Sequence, residues 1–235
     1  MKLVIITGTS AGLGQSFFRQ MSSRCDGLMS ISRRILPEQK VLAKENGKEL
    51  FLLQRDFTDV ENLSSIEEDL RQLVGHVPIH EVVFINNAGV VTPLGKITEG
   101  TTDEIVESVH VNMVAPILLT RGLLNAFDLS TTRIKVVHIS TGAALRVIEG
   151  WSMYCATKAG MKMFYDVLTH EYKEFPNVTF HQVNPGVMDT PMQEKIREAK
   201  NVHFPQWERY SRLKEEDQLP HPDEVAARII DELVL

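Results

Sequence analysis

The chain has 235 residues, of which 43% are hydrophobic and 24% are charged, and its formal net charge is −6. This composition is typical of a globular domain that buries its own core, and the acidic balance argues against nucleic acid as a partner. No apolar run reaches the roughly 18–20 residues of a membrane span, so we expect no membrane partner. Two cysteines, Cys25 and Cys155, offer neither a disulfide framework nor a metal cluster, which favours a reducing cytoplasm.

Short apolar stretches alternate with stretches of helical periodicity along almost the whole chain. The predicted strands are residues 3–6, 28–32, 50–54, 82–86, 134–140 and 178–184. The predicted helices are residues 13–23, 37–46, 60–74, 103–127 with a break, 152–175 and 223–235. This alternation predicts an α/β fold: one Rossmann-like domain over residues 1–235, with a doubly wound parallel sheet and helices on both faces. The ligand-binding site of such a domain is expected at the carboxyl ends of the strands.

Residues 189–222 differ from the rest of the chain. They are rich in charge and are interrupted by Pro191, Pro205, Pro220 and Pro222. Such a segment is typical either of a loop that covers the substrate or of a plain surface excursion.

A glycine-rich turn follows the first predicted strand in the sequence TGTSAGLG. Gly8, Gly12 and Gly14 lie where the next helix opens, with Ser10 and Leu13 in the same turn. Glycines at this place let the backbone approach a pyrophosphate, and the helix N-terminus supplies N–H donors. The loop therefore predicts a nucleotide site, although a tight strand-to-helix turn would also explain glycines.

The end of the second predicted strand indicates which nucleotide binds. An NAD site carries an acid there to bind the ribose hydroxyls, but this strand ends with Ser32, followed by Arg33 and Arg34. Two guanidinium groups suit a 2′-phosphate, which favours NADP(H). A solvated basic turn is the alternative.

Tyr154 and Lys158 lie four residues apart in the sequence YCATK, and so share one face of a predicted helix. We expect the lysine ammonium to lower the pKa of the phenol, which would make Tyr154 a proton donor for a developing alkoxide. The alternative is a partly buried tyrosine beside a lysine that extends into solvent.

The order of the motifs resembles the short-chain dehydrogenase/reductase family across essentially the whole chain. The motifs are the glycine loop, NNAG at 86–89, Asn112, HISTGAA at 138–144, YCATK and NPGVMDT at 184–190. The resemblance implies strand order 3-2-1-4-5-6, hydride transfer with a nicotinamide cofactor, and a homodimer or homotetramer. A seventh strand that members of the family add has no counterpart here, so we expect six strands unless a tail is missing.

The resemblance also implies roles for individual residues. Tyr154 would donate the proton, Lys158 would bind the nicotinamide ribose, and Asn112 would hold a water near the lysine. The family's serine lies thirteen residues before the tyrosine, which selects Thr141 here, with Ser140 as the rival. Further cofactor contacts would come from Asp56, Phe57, Asn87, Ala88, Gly89, Pro185, Gly186, Val187 and Thr190.

Within the family, GWSMYCATKAG at 150–160 resembles the sepiapterin reductases and the bacterial benzil reductases. This resemblance implies an NADPH-dependent carbonyl reductase for a vicinal diketone with aromatic or apolar flanks, such as benzil reduced to (S)-benzoin. The candidate pocket residues are Leu145, Trp151, Met188, Met192 and Trp207. The alternatives are a sepiapterin reductase, for which the C-terminal pterin anchor has no counterpart, a 3-oxoacyl-carrier-protein reductase, and a catalytically silent NADP(H) sensor.

Overall fold

The computed structural model describes residues 1–59, 61, 63, 65–74, 77–199 and 204–235. Within them, parallel strands form one sheet of six in the order β3-β2-β1-β4-β5-β6. The strands are β1 Lys2–Thr7, β2 Gly27–Ser32, β3 Glu49–Gln54, β4 Glu81–Asn86, β5 Arg133–Ile139 and β6 Val178–Val183. The predicted fold class and strand order are confirmed. Because the order reverses at β1, a crevice opens between the loops that follow β1 and β4.

Helices cover both faces of the sheet, as the continuous apolar character of its strands requires. They are α1 Gly12–Met21, α2 Pro37–Glu45, α3 Ile66–Val74, α4 Thr102–Val109, α5 Ala115–Ala126, α6 Ser152–Glu171, α7 Pro191–Glu198, α8 Trp207–Glu215 and α9 Pro222–Glu232. None of the described helices is long and apolar enough to cross a membrane.

Successive residues of β1 point to opposite faces and enter two different cores. Leu3 and Ile5 pack in the core that also contains residues of α3, α5 and α6. Val4 and Ile6 pack in the core beneath α1 and α9. The two cores fix the sheet between them, so the carboxyl ends of its strands lie along one edge. The loops at this edge carry the predicted cofactor-binding and catalytic residues.

The predicted break in helix 103–127 is a π-helical turn, His110–Val114, that joins α4 to α5. Such turns recur at functional sites, and this one buries Asn112. Positions 60, 62 and 64 of the predicted helix 60–74 lie outside the described residues. Helix α6 ends at Glu171 rather than at residue 175, with Tyr172 as its C-cap.

Segment 189–222 contains α7 and α8, and Asp189 ties both helices to the loop after β6. Its carboxylate accepts a hydrogen bond from Lys214 at 2.7 Å and lies 3.6 Å from the Arg197 guanidinium. Its backbone N–H donates to the carbonyl of Pro220 at 3.1 Å. The segment therefore sits at the carboxyl edge of the sheet, where the cofactor site was predicted.

Candidate active site

A cavity of about 460 Å³ runs along the carboxyl edge of the sheet. The loops after all six strands contribute to its lining. The basic side chains in the lining are Arg33, Arg34, Arg55, Lys158 and Lys195, and the described lining contains no carboxylate. The cavity is therefore suited to an anionic ligand.

The glycine loop forms one wall of the cavity because backbone comes very close to backbone there. Gly8 has φ +70°, and a Cβ on Gly8 would lie 3.0 Å from the Cα of Ala88. A Cβ on Gly14 would lie 2.2 Å from the carbonyl oxygen of Gly8, so only glycine fits. Helix α1 has no side-chain cap at Ala11 and no acid in its first turn, which leaves its N–H groups available to a phosphate.

Arg33 and Arg34 lie at one end of the cavity, both exposed to solvent. Neither forms a salt bridge with any residue that the structure describes. Arg55 lies beside them, but its guanidinium pairs with Asp69 at 2.5 Å. Asp56 lies outside the lining, with one carboxylate oxygen engaged by the backbone N–H and hydroxyl of Thr58, so its contact with adenine stays a prediction.

Tyr154 and Lys158 lie at the other end of the cavity, on adjacent turns of α6. Both are buried, and the Lys158 ammonium lies 5.9 Å from the centre of the Tyr154 ring. Lys158 Nζ donates to the carbonyl of Ile139 at 2.9 Å, which holds the lysine under the end of β5. Thr141 and Ser140 both line the cavity beside Tyr154, and the Thr141 hydroxyl acts to lower the pKa of the phenol.

The expected effect of Lys158 on the phenol is wrong for this structure. Burial raises the pKa of Tyr154 to about 12, with the hydrogen bond from Thr141 acting in the opposite direction. The same burial lowers the pKa of Lys158 to about 8. A low-dielectric site penalises the phenolate and the ammonium alike. The phenol therefore keeps its proton at neutral pH, which is the form that a proton donor needs.

Asn112 holds the loop after β4 in place. Its side-chain oxygen accepts from the N–H of Val90 at 2.9 Å, and its amide donates to the carbonyl of the same residue at 2.8 Å. A Cβ on Gly89 would lie 3.2 Å from that oxygen, so Asn112 sits directly behind the lining. A water held by Asn112 stays a prediction.

The cavity brings together only some of the residues of the predicted substrate pocket. Met188 and Met192 line the cavity, but Leu145, Trp151 and Trp207 do not. The Leu145 side chain is 73% exposed, because the turn after Thr141 points it outward. Trp151 is 5% exposed, and Trp207 packs against the same core.

Trp151 instead organises an aromatic cluster beside the site. Its ring meets the Tyr154 ring edge-on at 5.3 Å and stacks on Phe204 at 5.5 Å and on Tyr210 at 5.7 Å. These contacts join segment 189–222 to helix α6. An aromatic residue before the tyrosine suggested a ligand contact, but here it fixes the orientation of the phenol.

The cavity brings together most of the predicted cofactor residues. Those in the lining are Gly8, Ser10, Gly12, Leu13, Arg33, Arg34, Phe57, Asn87, Ala88, Gly89, Pro185, Gly186, Val187 and Thr190. The lining also contains residues that the sequence did not mark as cofactor contacts, namely Ala11, Ser32, Arg55, Val90, Val91, Val111, Ile139, Pro191, Gln193 and Lys195. Most of these residues are next to a motif in the sequence, so their position beside a motif could have indicated that they line the cavity. For Gln193, three residues after Thr190, helical spacing could have indicated the cavity.

We expect Lys158→Met to raise the free energy of unfolding at pH 7 by about 1–3 kcal/mol, because it removes a buried ammonium. The folded protein releases the Lys158 proton near pH 8, whereas the unfolded chain keeps it to about 10.5. The parent chain therefore gains stability as the pH rises through this window, and the difference between the two proteins shrinks. Urea unfolding from pH 7 to 10 measures this, with the half-exposed Lys162→Met as control. A less stable Lys158→Met protein at pH 7 would contradict the expectation.

Comparisons with known proteins show the family of this chain. The family model described as short chain dehydrogenase matches residues 2–201. The benzil reductase ((S)-benzoin forming) of Bacillus cereus is 36% identical over 97% of this chain and 92% of its own length. Rat (Rattus norvegicus) sepiapterin reductase is 30% identical over 83% of this chain and 77% of its own length.

Solved structures share the fold. The KRED1-Pglu enzyme is 25% identical, with a TM-score of 0.82 over 98% of this chain and 94% of that one. Other structures of the same fold were solved in complex with NADP or with NADPH. With its match to the family model over residues 2–201, its relatives and its strand order, the chain belongs to the short-chain dehydrogenase family of oxidoreductases.

Proposed function

We propose that this protein is an NADPH-dependent carbonyl reductase that reduces one carbonyl of an aromatic or apolar vicinal diketone, such as benzil to (S)-benzoin. The observation that carries the proposal is the arrangement of Tyr154, Thr141 and Lys158 in the same cavity as the glycine loop. The similarity to benzil reductases supports the choice of substrate.

The residues along the cavity fit NADP(H). The glycine loop and the uncapped N-terminus of α1 would hold the pyrophosphate, and Arg33 with Arg34 would hold the 2′-phosphate. Lys158 would bind the nicotinamide ribose, while Val187 and Thr190 would contact the nicotinamide. When bound, the cofactor supplies the hydride for the carbonyl carbon.

The protein's own residues would handle the oxygen of the reacting carbonyl. Thr141 would hold this oxygen against the Tyr154 hydroxyl, with Ser140 as a second hydroxyl in reach of the cavity. Tyr154 would then give its proton to the developing alkoxide, which is a stronger base than phenolate even when the pKa of Tyr154 is about 12. Lys158 would stabilise the phenolate that remains.

The walls near Tyr154 favour an apolar substrate. Val91 and Met192 line the cavity and pack in the cluster that contains Tyr154, and methionine surfaces adapt to flat aromatic ligands. Segment 189–222 would cover the substrate, since its aromatic residues stack on Trp151 beside Tyr154. Such a cover excludes water from the reacting atoms.

The test is a substrate panel of benzil, sepiapterin and a 3-oxoacyl thioester, each with NADPH or NADH. We expect benzil to be reduced fastest, to (S)-benzoin on chiral chromatography, with NADPH preferred. If sepiapterin or the thioester were reduced faster than benzil, that compound would be the preferred substrate instead of the diketone. NADPH binding without turnover of any carbonyl compound would favour the sensor.

We expect Arg33→Ala to raise the Michaelis constant for NADPH by about 10-fold while changing that for NADH less than about twofold, because a charge-assisted bond to the 2′-phosphate is lost. Initial rates at varied cofactor concentration measure both constants. Arg24→Ala is the control, since Arg24 is exposed and pairs with Asp231 away from the cavity. Equal increases for both cofactors would refute the phosphate role.

We also propose a homodimer or homotetramer in the cytoplasm. Val106 on α4, and Met163 and Val167 on α6, expose large apolar side chains on the outer surface of the molecule. A second copy of the chain that covers them would bury this apolar area.

A further inference from the structure

A buried polar cluster joins the glycine loop, the second strand and the second helix. Its members are Thr9 in the loop, Ser30 on β2 and Gln39 on α2; the first two are fully buried and Gln39 is 2% exposed. The Gln39 amide nitrogen donates to the Thr9 hydroxyl oxygen at 2.8 Å, and the hydroxyl oxygens of Thr9 and Ser30 lie 2.5 Å apart. None of the three lines the cavity. A buried network in which every member has a partner holds the parts that it joins in one arrangement.

The carboxamide of Gln39 forms a bridge because both of its ends are used. Its oxygen accepts from the backbone N–H of Leu36 at 3.1 Å, which caps the first turn of α2. Its nitrogen carries the bond to Thr9 in the glycine loop. One side chain therefore holds the start of α2 against the glycine loop.

Arg33 and Arg34 lie in the short segment between β2 and α2, the arginine loop (residues 33–36). The Arg33 carbonyl accepts from the Gln54 amide at 3.0 Å, and the bridge fixes Leu36 at the other end of the loop. The backbone of the loop is thus held, while both arginine side chains are exposed and line the cavity. A loop that is ordered before its ligand arrives loses less conformational entropy on binding.

The glycine loop has further supports that do not involve Gln39. The backbone N–H of Gly8 donates to the Ile31 carbonyl at 3.0 Å, and the Asn87 amide donates to the Thr7 carbonyl at 3.0 Å. Loss of Gln39 would leave these bonds in place, so we expect the glycine loop to keep its shape. The arginine loop, in contrast, would lose its link to the glycine loop.

We propose that Gln39 is a positioning residue for cofactor selectivity: it holds the arginine loop against the glycine loop, so that Arg33 and Arg34 are in place for the 2′-phosphate of NADP(H). This proposal rests on the phosphate role that the proposed function gives to the two arginines. NADH carries no 2′-phosphate and does not need the arginine loop. Loss of the bridge therefore weakens the binding of NADPH selectively.

The experiment measures the dissociation constants of NADPH and NADH by fluorescence titration of the parent chain and of Gln39→Met, which keeps the length of the side chain. We expect about 5- to 10-fold weaker binding of NADPH and less than about twofold weaker binding of NADH. Gln20→Met is the control, since the amide of half-buried Gln20 donates to the Asp223 carbonyl at 2.9 Å, away from the cavity. Equal losses for both cofactors, or no loss for NADPH, would overturn the proposal.

The same substitution in an Arg33→Ala, Arg34→Ala background separates a positioning role from a purely structural one. If Gln39 acts through the arginines, Gln39→Met raises the dissociation constant of NADPH by less than about twofold in this background, because coupled residues do not have additive effects. A loss as large as in the parent chain would assign the effect of Gln39 to another part of the site and overturn the proposal.

Thr9→Val breaks the same bridge from the glycine loop and repeats the test if Gln39→Met does not fold. The same selective loss of NADPH binding would support the proposal, and its absence would overturn it. Failure of the phosphate role would look different, because Arg33→Ala would weaken NADPH and NADH binding equally, and the role of Gln39 would be overturned with it. A parent chain that does not reduce benzil would contradict the proposed reaction but would leave both cofactor constants, and so the test of Gln39, intact.

Discussion

Tyr154→Phe is expected to lower kcat for benzil reduction by about 10²–10⁴-fold, because it removes the proton donor and leaves the ring in place. The ring packs edge-on against Trp151, and phenylalanine keeps that contact. We therefore expect the NADPH dissociation constant and the melting temperature to change little. Steady-state rates together with fluorescence titration of NADPH measure the two effects separately.

Tyr210→Phe is the matched control for this variant. Tyr210 is a second buried phenol in the same aromatic cluster, stacked on Trp151, but it does not line the cavity. We expect it to keep kcat within about threefold, since no proton transfer passes through it. A Tyr154→Phe protein with parent activity, or equal losses in both variants, would remove Tyr154 as the acid.

Gly14→Ala is expected to destabilise the protein by about 3 kcal/mol and to weaken NADPH binding more than 10-fold. The new Cβ would lie 2.2 Å from the Gly8 carbonyl oxygen and 2.5 Å from the side-chain nitrogen of Asn87. The backbone of Gly8 and the side chain of Asn87 would have to move, and with them the start of α1. Urea unfolding and NADPH titration measure the two losses.

Gly160→Ala provides the comparison. Gly160 is also helical, but its Cβ would meet only the flexible end of Met113, at 3.0 Å. Alanine has the higher helix propensity by about 1 kcal/mol, so we expect a change within about 1 kcal/mol of the parent. If Gly14→Ala behaved like Gly160→Ala, the close backbone approach at the glycine loop would be refuted.

The periodicity of the chain predicted the strands within one or two residues of their ends, because strands buried on both faces leave a continuous apolar signal. The π-helical turn at His110–Val114 could not be read from periodicity, because its apolar pattern is that of an α-helix within one residue. The π-helical turn directs the Asn112 side chain toward Val90.

The sequence by itself determined the alternation of strands and helices, the glycine loop and the pairing of Tyr154 with Lys158, since these depend on local spacing, whereas the order of the strands was implied by the family resemblance. Only the tertiary structure decided which groups are buried together. Burial gave Tyr154 a raised pKa, placed Trp151 in a core and left the Gln193 side-chain oxygen without a hydrogen-bond partner. Burial depends on contacts between residues distant in the chain, and no local pattern records these contacts.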